Sequence, residues 1–561
     1  MSLLDNASLL LTPNAYKEGK LYSVIPSNGN GDFTATRATT ATRVNAAGLV
    51  DLVPYNLVSY SQQFQNTSWL TGGGGPSVFT DNFSEAPNGT TTASRWTAAN
   101  LNSQVRQNLA IINTTMTISV WMRSNVGTKT ATIFINDSAV VSTITVTTSW
   151  QRFTLTGAVG ASLLGAGRCG FSNNSILTTS DYIEVWGAQL VEGTSARDYL
   201  RTETRLNIPR VDYSLGGCPN ILLEPQRTNL ALQSSSFDNA TWVKTATTIT
   251  ANSTTSPSGI VDADTLTANG ASTGHQCQQA INTTSGVAYT ISFYLKKDTN
   301  NFAQIFGSGA AFGVNAFANF DLNNGVLGSV GSGTTSAITS VGNGWFRCSI
   351  TATATATVSG SFSVFLVTSA TAARAETNTL STSIFLWGAQ LEAGAYSTSF
   401  IPTTTASVTR NADSITRNNI FTNGLITASG GTWFVDLRNN RVLTRDASVN
   451  TLFLADTNTG ATNGFVFRNQ GTLRLSLSKR VAGSEIGLFT TTTDTCKIAI
   501  KWNGTTADVF FNGFKQITAT AFTATALEFL IGQAQDVPKY INSMALFPTP
   551  LTDTQCIALT A

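Results

Sequence analysis

An all-β fold, built as tandem antiparallel β-sandwiches after a short N-terminal segment, is what this sequence predicts, and three observations predict it. Charged residues make up only 11% of the 561 positions, while Thr, Ser, Asn and 46 Gly fill the polar ones; β-branched residues suit a pleated strand and Gly suits tight corners. No stretch longer than a turn or two carries a 3.6-residue apolar period. Finally, the chain repeats itself at domain length. Asn56 to Trp69 returns as Asn229 to Trp242, 173 residues later, and Thr117-Ile118-Ser119-Val120-Trp121-Met122 returns as Thr290-Ile291-Ser292-Phe293-Tyr294-Leu295 at the same spacing. Trp150-Gln151-Arg152-Phe153 answers to Trp345-Phe346-Arg347-Cys348. Trp186-Gly187-Ala188-Gln189-Leu190 recurs unchanged as Trp387-Gly388-Ala389-Gln390-Leu391, now 201 residues on. The spacing grows because the second copy carries insertions, which loops tolerate.

Taken in order, residues 1–53 form a segment of strand-like Thr/Val stretches. It is too short to bury a core alone, so it is expected to order against a partner chain or another protein. Residues 54–200 and 227–402 are the two copies, each a string of short strands of the length of one jelly roll. Residues 201–226 link them. Residues 403–561 hold a further linker and a third sandwich, with strands at Gly431–Leu437 and Cys496–Trp502 and a hairpin signal at Asn512-Gly513. The pairs Thr42-Arg43, Thr204-Arg205 and Thr409-Arg410 lie beside the module boundaries. They read as a shared linker that docks consecutive modules.

Several chemistries are poorly served. A formal charge of +2 supplies no field for a polyanion, so nucleic acid is not an expected partner. Histidine chemistry would fall to the single His275, which has no base-and-orienter set nearby and reads as structural. The six cysteines are scattered without a C-x-x-C pair and read as small buried hydrophobes of a protein made in a reducing cytosol. No early apolar run has the length or basic flank of an export signal, and none approaches the ~18–20 residues of a membrane span. Synthesis without a signal peptide and no membrane insertion are therefore expected.

The Asn-Leu…Phe…Trp opening of each copy, the Trp-Gly-Ala-Gln-Leu closing and the Thr-Arg linkers resemble appendage proteins of tailed bacteriophages, head fibres and tail fibres alike. Lys501-Trp502-Asn503-Gly504, Phe511-Asn512-Gly513 and Ala545-Leu546-Phe547 resemble landmarks of concanavalin A or laminin-G-like sandwiches. The resemblance implies carbohydrate-binding-type jelly rolls in tandem on a virion surface. It also implies a homo-oligomer, by analogy a trimer, attached to other virion proteins through residues 1–53, with host-surface polysaccharide as partner. An architectural virion protein that meets no sugar is the alternative, and a glycan hydrolase the third. No pair of carboxylates marks a catalytic centre, so no enzyme is expected.

Strand alternation sorts the repeat by face. Ile118, Val120 and Met122 oppose Ser119, Trp121 and Arg123; Ile291, Phe293 and Leu295 oppose Ser292, Tyr294 and Lys296. Trp150 and Arg152 share a face, as do Trp345 and Arg347. Trp121, Arg123, Trp150, Arg152, Tyr294, Lys296, Trp345 and Arg347 thus place aromatic rings beside cations, as a sugar platform requires; packing under a loop or against a neighbour would use the same residues. Trp69, Trp242, Trp186 and Trp387 read as core or interface. No cofactor is expected. Asp262 and Asp264 offer oxygens of the kind calcium takes but lack a complete ligand loop, and read as solvated turn carboxylates.

Overall fold

The Thr114–Ser124 strand shows why the chain folds as it does: Ile118, Val120 and Met122 are at most 3% exposed and face the core, while Trp121 and Arg123 alternate outward, half-buried. The computed structural model describes residues 3–111, 114–136, 140–159, 162–427, 429–438, 449–456, 463–469, 475–491, 493, 495–522, 526–533 and 539–561. All named strand pairs are antiparallel, and the architecture is all-β. Among the described residues no helix is long and apolar enough to cross a membrane. The chain divides into two compact units, one of residues 52–205 with 259–261, the other of residues 1–51, 206–258 and 262–561.

The first unit is a sandwich of two five-stranded sheets. One runs in the order Val140–Val146, Lys129–Ile135, Ser162–Asn173, Ser103–Ile111, Leu70–Gly73; the other runs Gln151–Val159, Thr114–Ser124, Ile183–Glu192, Ala93–Thr97, Val78–Ser84. Phe64, Trp69, Trp96, Val120, Phe171 and Leu190 fill the space between.

The second unit holds the repeat's other copy as two six-stranded sheets around Phe237, Trp242, Phe293, Phe362 and Leu391. The repeated residues form the same bonds in both copies. Asn56 Nδ2 donates to Ala188 O (3.1 Å) and Leu200 O (2.9 Å), and Asn229 Nδ2 donates to Ala389 O (3.1 Å) and Ile401 O (2.8 Å). Their Oδ1 atoms accept from Leu190 N and Leu391 N, so one side chain stitches the module's first segment to its last strand. Trp69 Nε1 and Trp242 Nε1 each donate 3.0 Å to a carbonyl nine residues back. In Trp-Gly-Ala-Gln-Leu the Gly is a β-bulge: Gly187 and Gly388 have φ of +63° and +62°, and the register against the neighbouring strand slips there by one residue. The slip exchanges the faces, so Ile183 and Val185 before it and Ala188 and Leu190 after it all reach the core.

The third sandwich departs from the expected plan. Its sheets are built from three parts of the chain, residues 9–36, 211–223 and 414–547. One sheet contains Lys539–Phe547, whose edge pairs with Leu9–Leu11 along one half and Asn220–Leu223 along the other. In the other, Phe33–Thr36 pairs with Ser414–Arg417, which pairs with Phe529–Gln533. Leu9, Leu11, Leu21 and Phe33 are fully buried in the same core as Trp433 and Trp502. The first segment, expected to order against a partner chain, therefore orders against its own chain. The physical reason is plain: Leu9, Leu11, Leu21 and Phe33 complete a core that the C-terminal strands leave unfilled.

Of the three linker Thr-Arg pairs, only Arg410 joins a buried charge cluster, together with Arg37 and Arg210. Arg210 donates to Glu224 (2.6 Å) and pairs with Asp413; Arg37 donates to Asp413 (2.7 Å) and Arg410 pairs with Glu224 (2.8 Å). All five residues are at most 4% exposed. Arg43 instead lies over Tyr16 and donates to its hydroxyl at 2.9 Å. Asn512 and Gly513 turn with φ of 43° and 83°, as the hairpin signal requires.

Candidate functional site

The outward face of the first unit's Thr114–Ser124 sheet carries the candidate site, and strand register assembles it. In one row, Thr80 lies opposite Arg95, Arg95 opposite Glu184, and Glu184 opposite Arg123. Trp150 stands beside Arg123. In the next row Arg152 lies opposite Trp121 and Trp121 opposite Trp186.

Contacts lock the rows together. The Arg123 guanidinium lies 4.8 Å from the Trp150 ring centre and donates through Nε (2.9 Å) and Nη2 (2.8 Å) to one oxygen of Glu184, which also accepts from Ser84. Trp150 Nε1 donates to Glu85 O at 3.2 Å and Trp186 Nε1 to Thr92 Oγ1 at 3.0 Å. Trp121 meets Trp186 edge-on at 6.4 Å, and Trp186 meets Tyr199 at 4.7 Å. Arg152 donates to Ser119 Oγ (3.0 Å) and Arg197 O (2.8 Å); burial pulls it below its ordinary value, against Asp198. Burial likewise pushes the Tyr199 phenol up, against its hydrogen bonds to Ser61 and Gln62. Trp121, Arg123, Trp150 and Arg152 remain half-buried. Half-exposed rings fixed beside guanidinium and carboxylate groups can stack on the apolar face of a pyranose and engage its hydroxyls.

The other copy holds its counterparts differently. Tyr294 and Trp345 are 4% and 1% exposed and pack with Ala263, Trp387 and Phe400. Trp345 Nε1 donates to Thr255 O and Trp387 Nε1 to Asp262, both at 3.0 Å. Arg347 stacks at 5.3 Å on Tyr294 and Lys296 lies 6.0 Å from Trp345. The expectation of a platform here is corrected: Val50 of the first segment packs into this cluster, and its N–H donates to Pro257 O at 2.9 Å. A ring covered in this way offers no face to a sugar.

Arg95 and Glu184 belong to this face and escaped sequence reasoning, because they are far apart in the chain and meet only through register. Trp186, 4% exposed, packs as core behind Trp121 and Trp150, as its repeat implied. The remaining candidates are structural. His275 is fully buried, its Nδ1 2.8 Å from Ala246 O. Asp264 accepts backbone N–H groups from Phe237 (2.8 Å) and Asn252 (2.9 Å), and burial nonetheless pushes it up to about 6. Asp262, far from being a solvated turn carboxylate, is also raised by burial, against its hydrogen bonds, Trp387's among them. Of the cysteines five are buried, but Cys218 is exposed beside Gly217. A cavity of about 980 Å³ in the second unit is lined by Thr335, Ser349, Tyr396 and Arg438 among others. Of its lining side chains, Arg438 pairs with Asp436 (2.8 Å) and the Tyr396 hydroxyl accepts from Arg227 (3.1 Å).

No family model matches the chain, and no curated protein matches it in sequence. Solved structures similar to parts of it include the CBM40 of a Ruminococcus gnavus IT-sialidase bound to α2,3-sialyllactose, at 14% identity and a TM-score of 0.19, over 24% of this chain and 84% of that one. Another is domain 4 of AbnA, a GH43 extracellular arabinanase from Geobacillus stearothermophilus, in complex with arabinotriose, at 14% identity and a TM-score of 0.21, over 27% of this chain and 73% of that one.

Proposed function

We propose that this chain is an adhesive appendage protein that binds surface glycans through the outward face of its first sandwich. The observation that carries the reading is the contrast between the two copies. Equivalent aromatic clusters sit on equivalent faces, yet the chain buries one under its own first segment and leaves the other half-open, with Trp150 and Arg123 fixed in place. The covered copy serves architecture. Placement on a phage virion, as a homo-oligomer facing host polysaccharide, rests on the resemblance of the repeated motifs and linkers to tailed-phage fibres. Weak single sites suffice there, because several copies engage together.

A glycan array probed with the full-length protein tests the reading. Binding to a host-type polysaccharide that Trp150→Ala reduces at least tenfold, with the melting temperature held, is the expected result. No binding to any glycan by the folded protein, monomeric or clustered on beads, would overturn it.

A further inference from the structure

We infer that the glycan read by this face is acidic, with a sugar carboxylate placed at Arg95; the inference rests on the glycan-binding reading above and names the substrate class of that same site. The row Thr80, Arg95, Glu184, Arg123 contains two cations and one anion. Glu184 stands directly opposite Arg95 in the register, so the two could have paired. Instead one Glu184 oxygen takes both Arg123 donors from one side and the Ser84 hydroxyl from the other. Arg95 is left with Thr80 Oγ1 as hydrogen-bond acceptor, at 3.2 Å, and no carboxylate within ion-pair distance among the described residues. Its guanidinium lies against aromatic rings, 4.8 Å from the centre of Phe83 and 5.9 Å from that of Tyr182, which themselves meet edge-on at 5.5 Å.

This is the arrangement of a cation kept for a ligand. Rings pack against the fork without neutralising it, so less side-chain entropy remains to be lost when a carboxylate binds. Phe83 is 37% exposed, and Arg95 and Tyr182 are half-buried, so the group is reachable from solvent. Trp150, beyond Glu184 and Arg123 in the same row, supplies the stacking surface, so a saccharide lying along the row would meet ring, hydroxyl partners and cation in turn. The second copy has no such row: Phe385 stands where Glu184 does and Thr265 where Arg95 does. A neutral sugar would need the rings but would give Arg95 no counter-charge. Planar carboxylate and guanidinium form paired hydrogen bonds, so a uronic or sialic acid residue fits where a neutral hexose does not.

The test uses the full-length protein and three probes: an oligogalacturonate, the same oligosaccharide with its carboxyls reduced to alcohols, and a sialylated trisaccharide. Titration calorimetry at low and moderate salt is expected to show at least one acidic probe binding tenfold or more tighter than the carboxyl-reduced one. That affinity should fall with salt and drop about tenfold in Arg95→Gln, with Arg95→Lys intermediate because it keeps the charge but not the fork. Equal binding of the acidic and reduced probes by the unmodified protein would overturn the acidic inference and leave the glycan reading standing. Binding of none of these, together with an empty glycan array, would overturn both.

Discussion

Trp150 and Trp345 hold the same place in the two copies, and what each does is decided by its cover rather than by its identity. Trp345 is fully buried, so Trp345→Ala should destabilise the second unit by about 3–5 kcal/mol. Trp150→Ala, at a half-exposed ring, should cost less than half as much in stability while removing glycan affinity. Thermal melts and binding isotherms of the two variants check the contrast, and equal losses of stability would contradict it. Buried carboxylates give the chain a second residue-scale signature. Despite burial, Arg410 and Arg210 hold Glu224 below the usual carboxylate range, and Arg210 and Arg37 do the same for Asp413; burial raises Asp264 to about 6. A raised folded pKa binds protons more tightly than the unfolded chain does, so stability should rise as pH falls from about 6 to about 4. Depressed carboxylates contribute stability above about pH 4 and lose it as pH falls further. Denaturation midpoints measured from pH 3 to pH 8 should therefore peak near pH 4–5, and a steady decline from pH 7 downward would refute this.

At the scale of elements, much of the repeat could be read from sequence because it is local. Alternation in Thr114–Ser124 and Ala288–Lys297 places Val120 and Phe293 inward without any knowledge of partners. The Trp-Gly-Ala-Gln-Leu motif was visible as a repeat, but its mechanism was not, since a bulge exists only relative to the neighbouring strand. Adding a Cβ to Gly388 would bring it 2.7 Å from Tyr294 Cδ2, and at Gly187 3.3 Å from Trp121 Cδ1, both at left-handed φ. Gly388→Ala should therefore destabilise by about 2–3 kcal/mol and Gly187→Ala by less, as calorimetry of each variant would show. The closing helix Asp553–Thr560 escaped the sequence reading because two turns carry too little periodicity. Its capping box, Thr552 with Gln555, was the available signal.

For the second unit as a whole, the consequence furthest from sequence is that residues near one end of the chain finish a sandwich made mostly near the other. Pairing across more than 500 residues, as between Leu9 and Leu546, leaves no local trace, so the first segment read as an incomplete piece awaiting a partner. Its incompleteness was legible; its partner was not. The energetics make the dependence testable. Leu9, Leu11, Leu21 and Phe33 are fully buried, and at about 1.5–3 kcal/mol for each such side chain their removal approaches the whole stability of an ordinary domain. Deletion would also take Arg37 from Asp413 and uncover an edge of Lys539–Phe547 and the Tyr294 and Trp345 cluster under Val50. A chain beginning at Pro54 should therefore lose cooperative folding of its C-terminal sandwich and aggregate through the exposed edge, rather than remain a well-folded protein that has merely lost an attachment point. Co-expression of residues 1–51 as a separate fragment should restore soluble, cooperatively melting protein, because the segment's partners lie in the same unit. Sedimentation and thermal melts of the truncated chain, with and without the fragment, decide the matter. A truncated chain that melts like the full-length one would show that the N-terminal strands add nothing the C-terminal sandwich needs.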